Sequence, residues 1–208
     1  KEDVNTADTI ARAFLKALEL LDISPELPID ITMDGELPLG VGLGSSAAFF
    51  VSLLRALASF QKTTLDDSAL GTLAFELESI FHGNPSGLDH SVIIHNECVR
   101  FIASQPLAFR SIKLAVTLPL VVAWIPRHGT TKDAVRHVSN LARRSPDITH
   151  QLFDVIESIV EQAVEHLEHG RLPELGDLMN FNHGALSALG VVSAENEKMV
   201  TLARDAGA

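Results

Sequence analysis

Apolar residues Ile10, Ala13, Phe14, Ala17, Leu18 and Leu21 recur at helical spacing, which puts them on one face of an amphipathic α-helix. The pattern stops near Ser24-Pro25, and the alternation of Ile29-Asp-Ile-Thr-Met33 predicts a short strand. A glycine-rich stretch, Pro38 to Ser46, leads into an apolar helix from about Ser46 to Phe60. A third helix is predicted from about Asp66 to Phe81, its stripe made of Leu70, Leu73, Ala74, Leu77, Ile80 and Phe81. The segment His82-Gly-Asn-Pro-Ser-Gly-Leu-Asp89 cannot continue it, because Gly83, Pro85 and Gly87 break the helix. Ser91 to His95 and Cys98 to Ala103 read as two strands joined by a tight turn at Asn96-Glu97.

The pattern loosens from Ser104 to Lys113, which places a lobe boundary there, with lobes 1–112 and 113–208. Leu120 to Ile125, β-branched and charge-free, predicts a buried strand. Helices follow at Thr131 to Ala142, Pro146 to about His169, Leu172 to Leu189 and Ala194 to Asp205. Ser145-Pro146 is a cap followed by proline in the first turn, and Gly170 and Gly190 are stop signals. Early strands and late helix pairs predict an α+β fold in two lobes.

Composition narrows the class. With 208 residues, 46% of them apolar, the chain can bury one sizeable core or two small lobes and is too apolar for disorder. Sixteen Lys and Arg against 27 Asp and Glu leave a formal charge of −11. A surface that acidic argues against nucleic acid and anionic membranes as partners. It still admits a small anionic substrate held by a few focused donors. The single cysteine, Cys98, excludes an internal disulfide and fits a reducing, cytosolic compartment. The longest nearly unbroken apolar run, Leu114 to Ile125, is interrupted by Thr117 and Pro119 and falls short of the roughly 20 residues of a membrane span. With no initiator Met before Lys1 and no signal-peptide pattern, the chain reads as a cut piece or a processed product.

Candidate chemistry begins at Gly40-Val-Gly-Leu-Gly-Ser-Ser-Ala-Ala48. Glycines let the backbone turn sharply and approach a ligand, and a helix start offers N–H groups with a favourable dipole. The stretch therefore reads either as a phosphate site or as a tight strand-to-helix turn. It is not the G-x-x-x-x-G-K-[ST] loop, since no lysine precedes the serines, and Ser45 takes the place of the third glycine of G-x-G-x-x-G.

Pro38-x-x-x-Gly-Leu-Gly-Ser-Ser-Ala-Ala48 resembles the central motif of the GHMP small-molecule kinases. Within them, His82-Gly-Asn-Pro-Ser-Gly-Leu-Asp89 and Met179-Asn-Phe-Asn-His-Gly-Ala-Leu-Ser-Ala-Leu-Gly-Val191 are similar to segments of the mevalonate kinases, and Pro126-Arg127 with Thr131-Lys132 fits their pattern. The resemblance spans essentially the whole chain. It implies the two-lobed α+β GHMP kinase fold, with an N-terminal lobe of the ribosomal-protein S5 domain 2 type and a ferredoxin-like C-terminal lobe. It also implies transfer of the γ-phosphoryl group of ATP, with Mg²⁺, to the C5 hydroxyl of mevalonate. The family's lysine motif is expected upstream of Lys1 and its glycine-rich third motif after Ala208, which makes the chain the middle of a kinase of roughly 300 residues. Two local departures stand out: Asn96-Glu97 replaces a common Gly-Gly, and His90 stands where Asn is frequent.

Residue roles follow from that resemblance. It puts Ser46 and Glu78 on Mg²⁺, which takes hard oxygen ligands and needs few of them from a protein. By position alone Glu76, on the opposite border of the apolar stripe, is as good a candidate as Glu78, and either reads as an ordinary border glutamate. The loop Gly42, Leu43, Gly44, Ser45, Ser46 and Ala47 is expected to hold ATP, with Ser45 and the backbone of Gly42 to Gly44 on phosphate oxygens. Asp89 is the implied catalytic residue facing the mevalonate hydroxyl, as general base or as a positioning group; an aspartate capping a turn is the plain alternative. Ser86 is implied near the substrate or the phosphates. Thr131 reads as a substrate threonine or an N-cap. Arg127 reads as the partner of the substrate carboxylate or a surface arginine. His82, four residues after Glu78, is read as a C-terminal histidine complementing the helix dipole.

Other constellations are weaker. Ser46, His82 and Asp89 have the residue types of a hydrolase triad, without the G-x-S-x-G elbow. Glu165-His-Leu-Glu-His169 matches neither zinc-helix pattern. A phosphomevalonate kinase, for whose second phosphate Arg127, Lys132 and Arg136 are the nearby cations, and a silent GHMP-fold binding protein are the rival readings. The resemblance also makes a homodimer an expectation, with the first amphipathic helix as a contact face.

Overall fold

The computed structural model describes residues 2–35, 38, 41–82, 85–102, 108–125 and 131–207. They form α1 (Glu2–Leu20), α2 (Ser45–Phe60), α3 (Asp67–His82), α4 (Leu88–His95), β1 (Val99–Ile102), β2 (Ala108–Ser111), α5 (Thr131–Arg144), α6 (Pro146–His169), α7 (Leu172–Ala188) and α8 (Ala194–Asp205). The chain divides into two compact units, residues 1–110 and 111–208.

In the first unit the helical stripes meet in one core. Ala13, Ala17 and Leu18 of α1 pack with Phe50, Leu54 and Leu57 of α2, Leu70, Ala74 and Leu77 of α3 and Ile94 of α4. Phe50, Leu54 and Leu77 are completely buried, so α2, the most apolar of these helices in sequence, lies at the centre. Helix α4 packs on both α2 and α3, and Arg55 of α2 donates to the Ile94 carbonyl at 3.4 Å.

Three expected strands are corrected. Ser91 to His95 lies within helix α4, not a strand. Its β-branched residues suggested extended backbone, but Gly87 turns the chain at φ +89° and the helix buries His90, Ser91 and Ile94 on one side. Packing at helical spacing outweighs intrinsic β propensity here. Asn96-Glu97 is accordingly a helix exit: Asn96, at φ +51°, donates its N–H to the Val92 carbonyl at 2.9 Å. Ile29 to Met33 and Leu120 to Ile125 form no strand. Val121 is 96% exposed, and Leu120, Val122 and Trp124 are exposed as well. Strand formation requires a ladder partner, and the described residues supply none for either segment.

The strand expected from Cys98 to Ala103 is present as β1, paired with β2. Sequence patterning misses β2 because all four of its residues are exposed, leaving no alternation to detect. Cys98 precedes β1 half-buried, and burial pushes its thiol up from the ordinary value.

The second unit is built on α6, which packs against α5 and α7. Pro146 opens α6 as expected, although Ser145 makes no side-chain cap; its carbonyl instead accepts the Thr149 hydroxyl at 2.8 Å. Gly170, at φ +69°, closes the helix, and Gly190 takes φ +71° just after α7. Among the described residues no helix is long and apolar enough to cross a membrane.

Candidate functional site

The glycine loop ends in a left-handed residue. Gly44 is the N-cap of α2 at φ +69°, ψ +19°, and Gly42 lies at φ +85°, backbone conformations that an L side chain adopts only with strain. Ser45, Ser46 and Ala47 form the first turn of α2, which contains no acidic residue and no side-chain cap. The positive end of this helix dipole thus meets no carboxylate from its own first turn, an arrangement suited to an anion. Leu43 is exposed at the loop tip, while Ala47 is buried beneath it.

Helix α4 begins in the same manner, on Gly87 at φ +89°, ψ −4°, and carries Asp89 in its first turn. A methyl group on Gly44 would lie 3.9 Å from Asp89 Cβ and 4.0 Å from its carboxyl carbon. The Asp89 carboxyl is therefore a neighbour of the α2 N-terminus, although 44 residues of sequence separate the two positions. Asp89 is exposed, on a rigid helical turn rather than in the loop before it. Ser86 is also exposed, and its hydroxyl accepts the Leu88 N–H at 3.2 Å.

The two glutamates that sequence position could not separate differ in the fold. Glu76 is exposed, whereas Glu78 is 3% exposed and its Oε2 accepts a hydrogen bond from His90 Nδ1 at 2.8 Å. An ionised carboxylate only accepts, so the ring nitrogen carries the hydrogen. His90 is 2% exposed, with Phe75 set edge-on to its ring at 6.0 Å. Glu78 Oε1 accepts no hydrogen bond among the described residues. A buried carboxylate with one oxygen held and one left over is chemically suited to a hard cation such as Mg²⁺. Among the described residues no three of His, Cys, Asp and Glu gather into a metal site. Mg²⁺ bound by one protein carboxylate and phosphate oxygens requires no such cluster.

Of the remaining candidates, Thr131 is the exposed first residue of α5 in the second unit. Arg127 and the side chain of His82 lie outside the described residues. Sequence reasoning did not foresee His90 as the hydrogen-bond partner of Glu78. The one signal was its unusual identity beside Asp89, because a contact between α3 and α4 leaves no local pattern.

Residues 5–97 match the GHMP kinases N terminal domain. The mevalonate kinase of Thermococcus gammatolerans is 34% identical over 190 residues, covering 86% of this chain and 54% of the relative. That of Methanothermobacter thermautotrophicus is 34% identical over 181 residues, covering 87% and 59%. The chain thus spans a little over half the length of the curated relatives it matches. Among solved structures, L. major mevalonate kinase in complex with R-mevalonate superimposes with a TM-score of 0.81 at 26% identity, over 99% of this chain and 64% of that one. The Methanococcus jannaschii mevalonate kinase shares the fold, with a TM-score of 0.72 at 21% identity, over 93% and 59%. The chain thus has the α+β fold of the GHMP kinases and carries a match to their N-terminal domain over residues 5–97.

Proposed function

We propose that this chain is part of a mevalonate kinase, which transfers the γ-phosphoryl group of ATP to the C5 hydroxyl of mevalonate and yields 5-phosphomevalonate for isoprenoid synthesis. The observation that carries this reading is the meeting of Asp89 with the Gly44 end of α2, in a chain whose relatives are mevalonate kinases. Phosphoryl transfer requires donors for the phosphates and a group that orients the attacking alcohol, and these two helix ends supply both. In this reading the backbone of Gly42 to Gly44 with Ser45 holds phosphate oxygens, and Asp89 holds or accepts the proton of the substrate hydroxyl. The resemblance adds Ser86, Thr131 and Arg127 as proposed substrate residues. Glu78 and Ser46 hold Mg²⁺, which when bound offsets the negative charge of the triphosphate. Such focusing is needed because a chain of net charge −11 repels both substrates.

The expected lobes, 1–112 and 113–208, would be parts of the N- and C-terminal lobes of the kinase. The cytosol is the proposed compartment. A second copy of the chain is the proposed partner for the outer side of α1, where Leu15 is exposed, and sedimentation of the whole protein tests it. The activity is tested by following ADP release from Mg·ATP by the whole protein, with mevalonate and phosphomevalonate compared. Turnover with mevalonate is expected; no turnover with either substrate would refute the kinase reading, and turnover with phosphomevalonate alone would refute the substrate.

A further inference from the structure

We propose that His90 is a positioning residue for the magnesium carboxylate, fixing Glu78 through its Nδ1 so that Oε1 is the oxygen presented to the cation. The proposal rests on the reading of Glu78 as a Mg²⁺ ligand. A glutamate side chain has several rotatable bonds, and one buried at 3% exposure has lost the water that would otherwise solvate it. A single well-placed donor then decides which oxygen is committed and which is left. His90 Nδ1 is that donor, at 2.8 Å from Oε2. The imidazole cannot drift, because it is 2% exposed, lies edge-on to Phe75 at 6.0 Å, and sits on a helix anchored by Gly87 and packed on α2 and α3. The adjacent residue, Asp89, stands beside the α2 N-terminus. One short helix thereby carries the group proposed to face the substrate and the group that orients the metal ligand.

The test uses the whole protein and Mn²⁺ as a paramagnetic probe, titrated with a non-hydrolysable ATP analogue and read by electron paramagnetic resonance, with circular dichroism to verify folding. His90→Leu removes the donor and is expected to weaken Mn²⁺·nucleotide binding by about 10- to 100-fold. KM for mevalonate should stay near its original value, and kcat should largely recover at saturating Mg²⁺. His90→Asn places an amide nitrogen near the position of Nδ1 and should restore most of the affinity. His90→Gln, equally polar but with its nitrogen nearer the position of Nε2, should not. That Asn and Gln pair carries the test if the Leu variant does not fold. Unchanged Mn²⁺ affinity in folded His90→Leu, or equal affinities for the Asn and Gln variants, would overturn the positioning role. Glu78→Gln separates the two levels: wild-type Mn²⁺ affinity in that variant would overturn the ligand reading itself. Weakened binding there, with His90→Leu unaffected, would overturn the positioning role alone.

Discussion

Gly44 and Asp89 are neighbours: a methyl group on the glycine would stand 3.9 Å from the aspartate Cβ. That separation is ordinary van der Waals contact, so the demand for glycine comes from the backbone at φ +69° rather than from lack of space. Gly44→Ala should therefore cost about 1–2 kcal/mol of stability, the cost of holding an L residue in the left-handed region. Gly42→Ala, at φ +85° with nothing within 4 Å of the added methyl, should cost a similar amount. Urea denaturation of the two variants checks this. Their activities should diverge, because only the Gly44 methyl reaches the Asp89 carboxyl. Equal losses of kcat would argue against any functional coupling of the two positions.

Asp89→Asn keeps the shape of the side chain and removes its charge and basicity. In the whole protein kcat should fall by about 10²- to 10⁴-fold, the usual contribution of a positioned proton acceptor. Stability should change by no more than about 1 kcal/mol, the worth of a carboxylate in the first turn of a helix. An Asp89→Asn enzyme with undiminished kcat would remove Asp89 from the reaction.

Much of this first unit was legible from helical spacing. Ala13, Ala17, Leu70 and Leu77 lie in the core where their periodicity put them, since a helix writes its buried face into local sequence. Pairing across the fold is not written locally. Leu120 to Ile125 has the composition of a buried strand yet stands exposed without a ladder, and β2 pairs with no alternation at all. The candidate site divides in the same way. The turn at Gly44 and the start of α2 follow from the glycine pattern, whereas spacing alone left Glu76 and Glu78 equal, and their difference in burial depends on which face of α3 meets α4. His90 was noticeable only as an odd residue next to Asp89.

Phe50 is completely buried at the centre of the four-helix core. Phe50→Ala should cost about 3–5 kcal/mol, because the apolar contact is lost and a cavity remains. Val121→Ser provides the contrast. At 96% exposure its replacement in the 208-residue chain should change stability by less than about 0.5 kcal/mol. Chemical denaturation of both variants checks the difference, and a large cost at Val121 would show that this segment is covered in solution.

Glu197 links α8 to α7 by accepting hydrogen bonds from the Ser187 hydroxyl at 2.6 Å and from His183 Nε2 at 2.9 Å. The Ser187 bond first, then the His183 bond, holds the Glu197 carboxyl below its ordinary value of 4.5. A carboxyl depressed in the folded state binds its proton more readily when unfolded, so it stabilises the fold above the ordinary value. That contribution disappears as the pH falls through the lower, folded value. Glu197→Gln should therefore melt earlier than the original protein at about pH 7, and the difference should shrink steadily as the pH falls below the usual carboxylate range. Ser187→Ala removes the larger of the two causes and should move the Glu197 titration upward, towards 4.5, as followed by carboxyl-carbon NMR. A titration that stayed put in Ser187→Ala would assign the shift to His183 instead. A melting difference that grew towards acid would contradict the sign altogether.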